Sequence, residues 1–292
     1  MNFNQTLKQC LTVGMLIFSS YAVAADYHEF VQMPDRFNDA LSFDTQGNLY
    51  ASNSGKFGRE GLSGSLVHKI DKNGEISIQA SGLSGPLGHD FDSQGNMYIA
   101  NYNNGEITKI SVNGAKSSFS KRAKAGAVSG IVLNSKDEIF VSSFASGAIF
   151  KFDVRGGSEI WLQDQRLSGP VGIVSDENDN IYVGNYNNGR IFKITKNKEL
   201  TELATSPDHS GYITYAKGMV YTTGINKHKI YQIPIDGSPA SELPGSSSSG
   251  FKFPNGISAN HDGSKLYVSN YLNNKIIVIE NFANSPPNTN QR

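Results

Sequence analysis

One pattern of hydrophobic and polar positions recurs along most of the chain. Each copy starts at a small residue, runs through an apolar stretch to a turn of the type D-x-x-G-N, continues as an apolar strand with one aromatic residue, and ends in a polar turn. Six copies are present: 40–53, 88–101, 130–143, 172–185, 211–224 and 256–270. Because apolar and polar positions alternate within each copy, the pattern predicts short β-strands joined by tight turns.

The copies define a repeating unit of several strands. Their aromatic residues lie 39 to 48 residues apart, at Tyr50, Tyr98, Phe140, Tyr182, Tyr221 and Tyr267. In the second unit, alternation and turn chemistry predict four strands, at 88–91, 96–101, 106–110 and 116–120. A period near 40 residues with four strands in each unit is typical of propeller blades.

The last unit is one strand short. It stops after its third strand at 275–279, whereas the segment 27–32 is strand-like and has no partner in the first unit. Pairing these two segments removes exposed sheet edges. The sequence therefore predicts an all-β fold over residues 25–282, a six-bladed β-propeller of four-stranded antiparallel blades, in which the N-terminal strand completes the last blade and closes the ring.

Two stretches are longer than the average unit allows. The first unit carries extra residues within 54–65, and a Ser-rich segment at 245–250 follows the fifth unit. Long polar connections usually run over the protein surface. We expect both stretches to be exposed, mobile loops.

The first 24 residues have the three parts of a bacterial-type signal peptide. Lys8 precedes an apolar stretch at 11–18, and Ala22-Val23-Ala24 forms an A-x-A cleavage site. The apolar stretch is too short to span a bilayer, and no later segment is apolar enough to do so. We expect a periplasmic or secreted protein without its single cysteine, Cys10, and with a disordered polar tail at 283–292.

Charge excludes one class of partner. The chain has 26 basic and 26 acidic residues and no long stretch of either sign. A nucleic-acid-binding surface needs a basic stripe that displaces counterions, so nucleic acid is not expected as a partner. We expect a monomer that binds a small molecule, peptide, glycan or protein on one face of the propeller.

One position in each unit is predicted to surround the mouth of the central channel. It directly precedes the leading small residue and is occupied by Asp39, Leu87, Ser129, Val171, Ser210 and Asn255. Asp39 and Asn255 belong to blades that meet where the ring closes, so together they could hold a hard cation, Ca²⁺ above all, through oxygen ligands. The alternative is that both residues form capping turns and face each other without a metal.

Further candidates lie close to this mouth. Arg36, Asn38 and Tyr212 are predicted to contact a ligand. His89 and His209 join Asp39 as candidate catalytic residues. The alternative for the two histidines is a packing or hydrogen-bonding role.

The outer rim of the same face is rich in aromatic and amide side chains. The turns between second and third strands carry Tyr102, Phe144, Tyr186 and Tyr271 beside Asn103, Asn187 and Asn273. Rigid aromatic rings interleaved with amides suit stacking and hydrogen bonding to a sugar or peptide. The alternative is that these rings pack on neighbouring blades.

Known enzyme motifs are missing from the sequence. It contains no G-x-S-x-G, H-E-x-x-H, G-x-G-x-x-G or P-loop pattern. The D-x-x-G-N turns are shorter than a calcium loop and lack its distal Glu, which favours a structural role for them. A serine hydrolase, a zincin or a nucleotide enzyme therefore has no support.

The repeats resemble those of NHL-repeat propellers, although the Asn-His-Leu triplet itself is absent. After residue 24 the chain also resembles the senescence-marker-protein and gluconolactonase family. Arg36-Phe37-Asn38-Asp39 is similar to the R-F-N-D stretch that supplies a substrate-contacting Arg and Asn in that family. Pro254-Asn255-Gly256 is similar to its P-N-G stretch, which supplies a metal-binding Asn.

The resemblance implies a metal-dependent lactonase. In that family a divalent cation held by a Glu, an Asn and an Asp polarises a lactone carbonyl while water attacks. Here Asn255 alone falls on a ligand position by motif, because the E-G-P stretch that carries the Glu is absent and no later copy opens with a D-G pair. Asp39 is the candidate substitute.

Two functions remain open from the sequence. The first is an exported binding module that uses the channel mouth and the rim. The alternative is a metal-dependent hydrolase of lactones or related esters that uses Asn255, Asp39 and one of the two histidines. Other chemistries of similar propellers include lyases that open cyclic depsipeptide antibiotics. Fold alone does not decide between them.

Overall fold

A computed structural model describes residues 25–120 and 126–282 of the chain. The predicted signal peptide at 1–24 and the predicted tail at 283–292 lie outside the described residues. Within them, the only helix is a single turn of 3₁₀-helix at Ser246–Ser248, and the other regular elements are strands. No helix in these ranges is long and apolar enough to cross a bilayer.

The strands follow one another in short, regular segments. The first thirteen are β1 (Asp26–Gln32), β2 (Asn38–Phe43), β3 (Leu49–Asn53), β4 (Phe57–Gly58), β5 (Gly61–Leu62), β6 (Leu66–Ile70), β7 (Ile76–Ala80), β8 (Pro86–Phe91), β9 (Met97–Asn101), β10 (Glu106–Ile110), β11 (Lys116–Ser120), β12 (Val128–Leu133) and β13 (Ile139–Ser143). The others are β14 (Ala148–Phe152), β15 (Ser158–Gln163), β16 (Pro170–Ser175), β17 (Ile181–Asn185), β18 (Arg190–Ile194), β19 (Leu200–Thr205), β20 (Ser210–Ala216), β21 (Met219–Gly224), β22 (Lys229–Pro234), β23 (Ser241–Glu242), β24 (Pro254–Ala259), β25 (Lys265–Asn270) and β26 (Lys275–Glu280).

These strands form six four-stranded antiparallel sheets. Blade 1 has the order β2-β3-β6-β7, blades 2 to 5 take β8–β11, β12–β15, β16–β19 and β20–β23, and blade 6 has the order β24-β25-β26-β1. The first strand of each blade packs against the first strand of the next, so the six innermost strands surround a central channel. The predicted six-bladed propeller is confirmed.

The ring closes through the N-terminal strand, as predicted. β1 pairs antiparallel with β26, from Asp26 opposite Glu280 to Gln32 opposite Lys275. The Tyr27 hydroxyl donates a hydrogen bond to the Pro244 carbonyl at 2.8 Å, which ties the same strand to the neighbouring blade. Both edges of blade 6 are thereby paired or packed.

The D-x-x-G-N turns are held by their aspartates. The Asp92 carboxylate accepts hydrogen bonds from the backbone N–H groups of Gln94 and Asn96, from the Asn96 amide and from the Tyr98 hydroxyl. Asp44 and Asp176 make the same contacts in blades 1 and 4. The carboxylate oxygens are therefore occupied by protein donors, which agrees with the structural role predicted for these turns.

Blade 5 differs from its neighbours by one residue. Ser210 pairs with Gly224 as Pro86 pairs with Asn101 in blade 2, so Gly211 rather than Ser210 occupies the channel-mouth position. Tyr212 then stands where blade 2 has Gly88. The assignment of Ser210 to the mouth is wrong, because the small residue that marks the other copies lies one position earlier in blade 5.

The two longer stretches are both structured. The insertion in blade 1 contains the β4–β5 hairpin, with Phe57 62% exposed. In the Ser-rich stretch, Ser246 is buried, and its hydroxyl lies 3.2 Å from the Ile230 backbone nitrogen, from which it accepts a hydrogen bond. The expectation of an exposed loop is wrong at Ser246, because this hydroxyl caps strand β22.

Candidate functional site

A bowl of about 490 Å³ opens on the face where the loops enter the innermost strands. Its wall contains six aromatic side chains: Phe57, Tyr102, Phe144, Tyr186, Phe253 and Tyr271. The predicted rim residues Tyr102, Phe144, Tyr186 and Tyr271 all line it. The volume lies in the range of pockets that hold small organic ligands.

The same backbone contact holds the wall residue of each blade. The residue after the second strand donates its N–H to a carbonyl in the loop that enters the first strand: Ser54 to Phe37, Tyr102 to Gly85, Phe144 to Ala127, Tyr186 to Gly169, Ile225 to His209 and Tyr271 to Phe253. The four predicted aromatics are therefore equivalent positions of one repeat. The two remaining positions carry Ser54 and Ile225.

Phe37 and Phe253 adopt an unusual backbone conformation beside Tyr271. Their φ angles are 67° and 58°, in the left-handed region that Gly85 and Gly169 occupy in blades 2 and 4. A bulky residue in this region costs of the order of 1 kcal/mol or more. Both rings contact Tyr271, at centroid distances of 5.0 and 5.6 Å, and Phe253 itself lines the bowl, whereas Phe37 does not.

Asp39 and Asn255 lie together at the floor of the bowl. The Asn255 amide donates to Asp39 Oδ1 at 2.8 Å, and the Ser54 hydroxyl donates to Asp39 Oδ2 at 2.8 Å. Asp39 is only 4% exposed. Burial raises the pKa of this carboxyl to about 7, while the hydrogen bond from Ser54 lowers it in part.

The backbone of the floor is fixed between blades by hydroxyl groups. The Ser269 hydroxyl donates to the Asp39 carbonyl at 2.7 Å and accepts from the Gly256 N–H at 2.8 Å. Ser142 makes the same pair of contacts with Val171 and Gly130 between blades 3 and 4. Each hydroxyl comes from the penultimate residue of a second strand, so these strands fix the backbone at the channel mouth.

Tyr212 separates the bowl from the inner channel. Its side chain lines both the bowl and an inner cavity of about 100 Å³. Five blades carry Ala or Gly at this level of the innermost strand, and only blade 5 carries a large residue. Tyr212 was predicted to contact a ligand, and it lies where it could contact one from below.

The two candidate histidines do not meet at the bowl. His89 is buried in the inner cavity, where its Nδ1 lies 3.1 Å from the Ser42 hydroxyl, and burial lowers its pKa to about 4. His209 lies behind the wall, with its ring 5.2 Å from that of Tyr186. Neither shares the bowl with Asp39, so the three candidate catalytic residues lie in three different surroundings.

The predicted R-F-N-D and rim amide residues lie mostly outside the bowl. Arg36 is exposed, and Asn38 is buried and donates its amide to the Asp35 carbonyl at 2.6 Å. The Asn103 amide accepts from and donates to the Leu62 backbone, at 2.8 Å in both cases, and so fastens the β4–β5 hairpin. Asn187 is exposed and donates to the Ser168 hydroxyl. Their role as ligand contacts stays a prediction.

Several residues that line the two cavities were not predicted from the sequence. Phe57 and Leu62 reach the bowl through the insertion, and Phe253 reaches it through its left-handed backbone. Asp90 lies beside His89 in the inner cavity, and burial raises its pKa to about 6. An aromatic residue just before a P-N-G stretch is the one pattern that could have identified Phe253.

The donor set at the floor fits a hydrogen-bonded pair better than a resident cation. Asn255 turns its Nδ2, not its oxygen, toward Asp39. The equivalent positions of the other blades hold Leu87, Ser129, Val171 and Gly211, and no group of three His, Cys, Asp or Glu side chains suited to a metal occurs within 25–120 and 126–282. Ca²⁺ usually takes six to eight oxygen ligands. The predicted divalent cation stays a prediction.

Comparison with known protein families identifies the family to which the chain belongs. The SMP-30/Gluconolactonase/LRE-like region matches residues 10–161, which is more than half of the sequence. The protein belongs to the SMP-30/gluconolactonase/LRE-like family. An NHL repeat also matches this family member, at residues 167–194. Both resemblances noted in the sequence are thereby confirmed.

Solved structures share the fold of this SMP-30/gluconolactonase/LRE-like protein. Virginiamycin B lyase from Staphylococcus aureus is 21% identical, with a TM-score of 0.66 over 85% of this chain and 81% of that chain. A gluconolactonase from Xanthomonas campestris is 10% identical, with a TM-score of 0.70 over 88% and 89%. An auxiliary nutrient binding protein from Bacteroides thetaiotaomicron is 18% identical, with a TM-score of 0.67 over 85% and 69%. No curated protein sequence gives a match.

Proposed function

We propose that this protein is an exported binding propeller that takes a small organic molecule into the aromatic bowl. One observation carries the proposal: six aromatic side chains, five from four blades and one from the insertion in blade 1, converge on one concave site above a buried polar floor. Such a combination of apolar wall and few polar groups is the usual form of a small-molecule pocket. The strained backbone of Phe253 supports it, because strain of this kind concentrates at functional sites.

An uncharged fluorescent probe tests this proposal without knowledge of the natural ligand. N-phenyl-1-naphthylamine is expected to bind the wild type with increased fluorescence. Val171→Arg, which places a long charged side chain at the half-buried channel-mouth position of blade 4, is expected to weaken binding at least tenfold. A fluorescence titration of both proteins measures the effect.

Val112→Arg is the matched control. Val112 is 76% exposed in the turn between β10 and β11, at the opposite end of its blade from Tyr102. This variant is expected to bind the probe as the wild type does. Equal probe binding by the Val171 variant and the wild type would show that the probe sits elsewhere and would remove the bowl as the ligand site.

A second candidate is favoured by the family and by the Asp39–Asn255 pair. It is a hydrolase of lactones or related esters, of the kind that the gluconolactonase neighbour represents. The hydrolase predicts that chelator-stripped protein binds one Ca²⁺, Mn²⁺ or Zn²⁺ ion in a calorimeter. Asn255→Ala is expected to abolish both that binding and lactone turnover. No heat of binding from the wild type, or full turnover by Asn255→Ala, contradicts this candidate.

A further inference from the structure

The bowl carries negative charge but no positive charge. Asp39 is the only charged residue among the residues that line it, and these include no Lys, Arg or His. Asp39 is 4% exposed, and its carboxylate accepts side-chain hydrogen bonds from Ser54 and Asn255, neither of which is basic. A desolvated acidic group without a cation is costly, so the site is incomplete in charge.

The geometry points to an organic cation with an apolar body as the ligand of the bowl. This inference rests on the proposed function and names its ligand class. Each carboxylate oxygen of Asp39 accepts one of these hydrogen bonds and can accept another. A substituted ammonium group at the floor would supply the missing positive charge, and its apolar part would remain against the wall.

The wall suits the same ligand. A cation is attracted to the faces of aromatic rings, and cages of Tyr, Phe and Trp are a recurrent way to bind substituted ammonium groups. Two wall tyrosines, Tyr186 and Tyr271, are close enough to Asp39 for its negative charge to raise the pKa of their hydroxyls in addition to the effect of burial. The negative charge of Asp39 and the faces of these aromatic rings can therefore attract the same bound cation.

A pair of molecules of equal shape tests the charge alone. Phenyltrimethylammonium and tert-butylbenzene differ only in nitrogen against carbon and in one positive charge. Each competes with N-phenyl-1-naphthylamine for the wild type and for Asp39→Asn. At pH 8 the cation is expected to displace the probe from the wild type at a concentration at least tenfold lower than tert-butylbenzene requires. In Asp39→Asn, at the same pH, the two are expected to compete alike.

The outcomes separate the two proposals. A wild type that binds the probe in the bowl but shows no preference for phenyltrimethylammonium at pH 8 overturns the cation inference and leaves the binding propeller intact. A preference that persists undiminished in Asp39→Asn also overturns it, because the selectivity then has another source. A probe that does not bind, or that ignores Val171→Arg, removes both proposals. Probe binding by Asp39→Asn itself shows that this variant folds.

Discussion

A chain that begins at Pro34, and so lacks β1, is expected to have no cooperative thermal transition at 25 °C and above, whereas a chain that begins at Ala25 unfolds cooperatively. The truncation leaves β26 as an unpaired edge, removes the buried side chain of Met33 and uncovers the core around Ile276. Burial of one such side chain contributes ~2 kcal/mol, and Tyr27 against Phe251 adds a similar amount. With six backbone pairs lost as well, the change is comparable to the ~5–15 kcal/mol that holds a domain folded.

Circular dichroism during heating and size-exclusion chromatography measure this effect. A synthetic peptide of residues 25–33 provides the control, because it is expected to restore the transition when added in excess to the shortened chain. Exposed β26 should otherwise drive association of the shortened chains. If the chain that begins at Pro34 melts within a few degrees of the longer one, the ring is closed by other contacts.

The architecture was predictable because its signal is repeated. Six copies of one sequence pattern predict the same alternating strands and the same turns, so an error in the interpretation of one copy is corrected by the others. The closure followed from one count, since the last unit lacks a strand and the segment at 27–32 lacks a partner. The single failure of register, in blade 5, arose where the repeated small residue was displaced by one position and Tyr212 took its place.

Four of the six aromatic residues in the wall were predictable for the same reason, but the use of individual polar atoms was not. Tyr102, Phe144, Tyr186 and Tyr271 are equivalent turn positions of four blades. Asn103, which looks like its neighbours in the sequence, is occupied by a hairpin that lies 41 residues earlier in the chain. Contacts of this kind depend on distant segments, and no periodic pattern encodes them.

The chemistry of the floor of the bowl could be predicted from the sequence only in part. Asp39 and Asn255 hold equivalent positions in adjacent blades, and the sequence correctly predicted that they lie side by side. The perturbed pKa of Asp39 depends on how completely the surrounding blades exclude water, and this is a property of the assembled ring. His89 shows the same limit, because it lies only two positions beyond Leu87 on the same strand, yet Leu87 lines the bowl and His89 lines the inner cavity.

Gly256→Ala is expected to destabilise the protein by ~3 kcal/mol and to disturb the floor of the bowl. A Cβ atom at this position would lie 2.0 Å from the Asp39 carbonyl oxygen and 2.8 Å from the Ser269 hydroxyl, so blades 1 and 6 must separate where the ring closes. Overpacking against backbone costs ~1–3 kcal/mol, and here the hydrogen bond from Ser269 to Asp39 is lost as well. For a domain of this size the melting temperature should fall by ~6–12 °C.

Gly58→Ala is the matched substitution, because the nearest atom to its added Cβ is 4.0 Å away and the backbone is not in the left-handed region. It should leave the melting temperature within about 1 °C of the wild type, as exposed sites usually do. The Gly256 variant should also lose part of its preference for phenyltrimethylammonium, since a displaced Asp39 no longer faces the ligand. If the Gly256→Ala protein has both the stability and the ligand preference of the wild type, blades 1 and 6 are not as close as the 2.0 Å between the added Cβ and the Asp39 carbonyl oxygen implies. The position of Asp39, and with it the charge of the bowl, would then need another explanation.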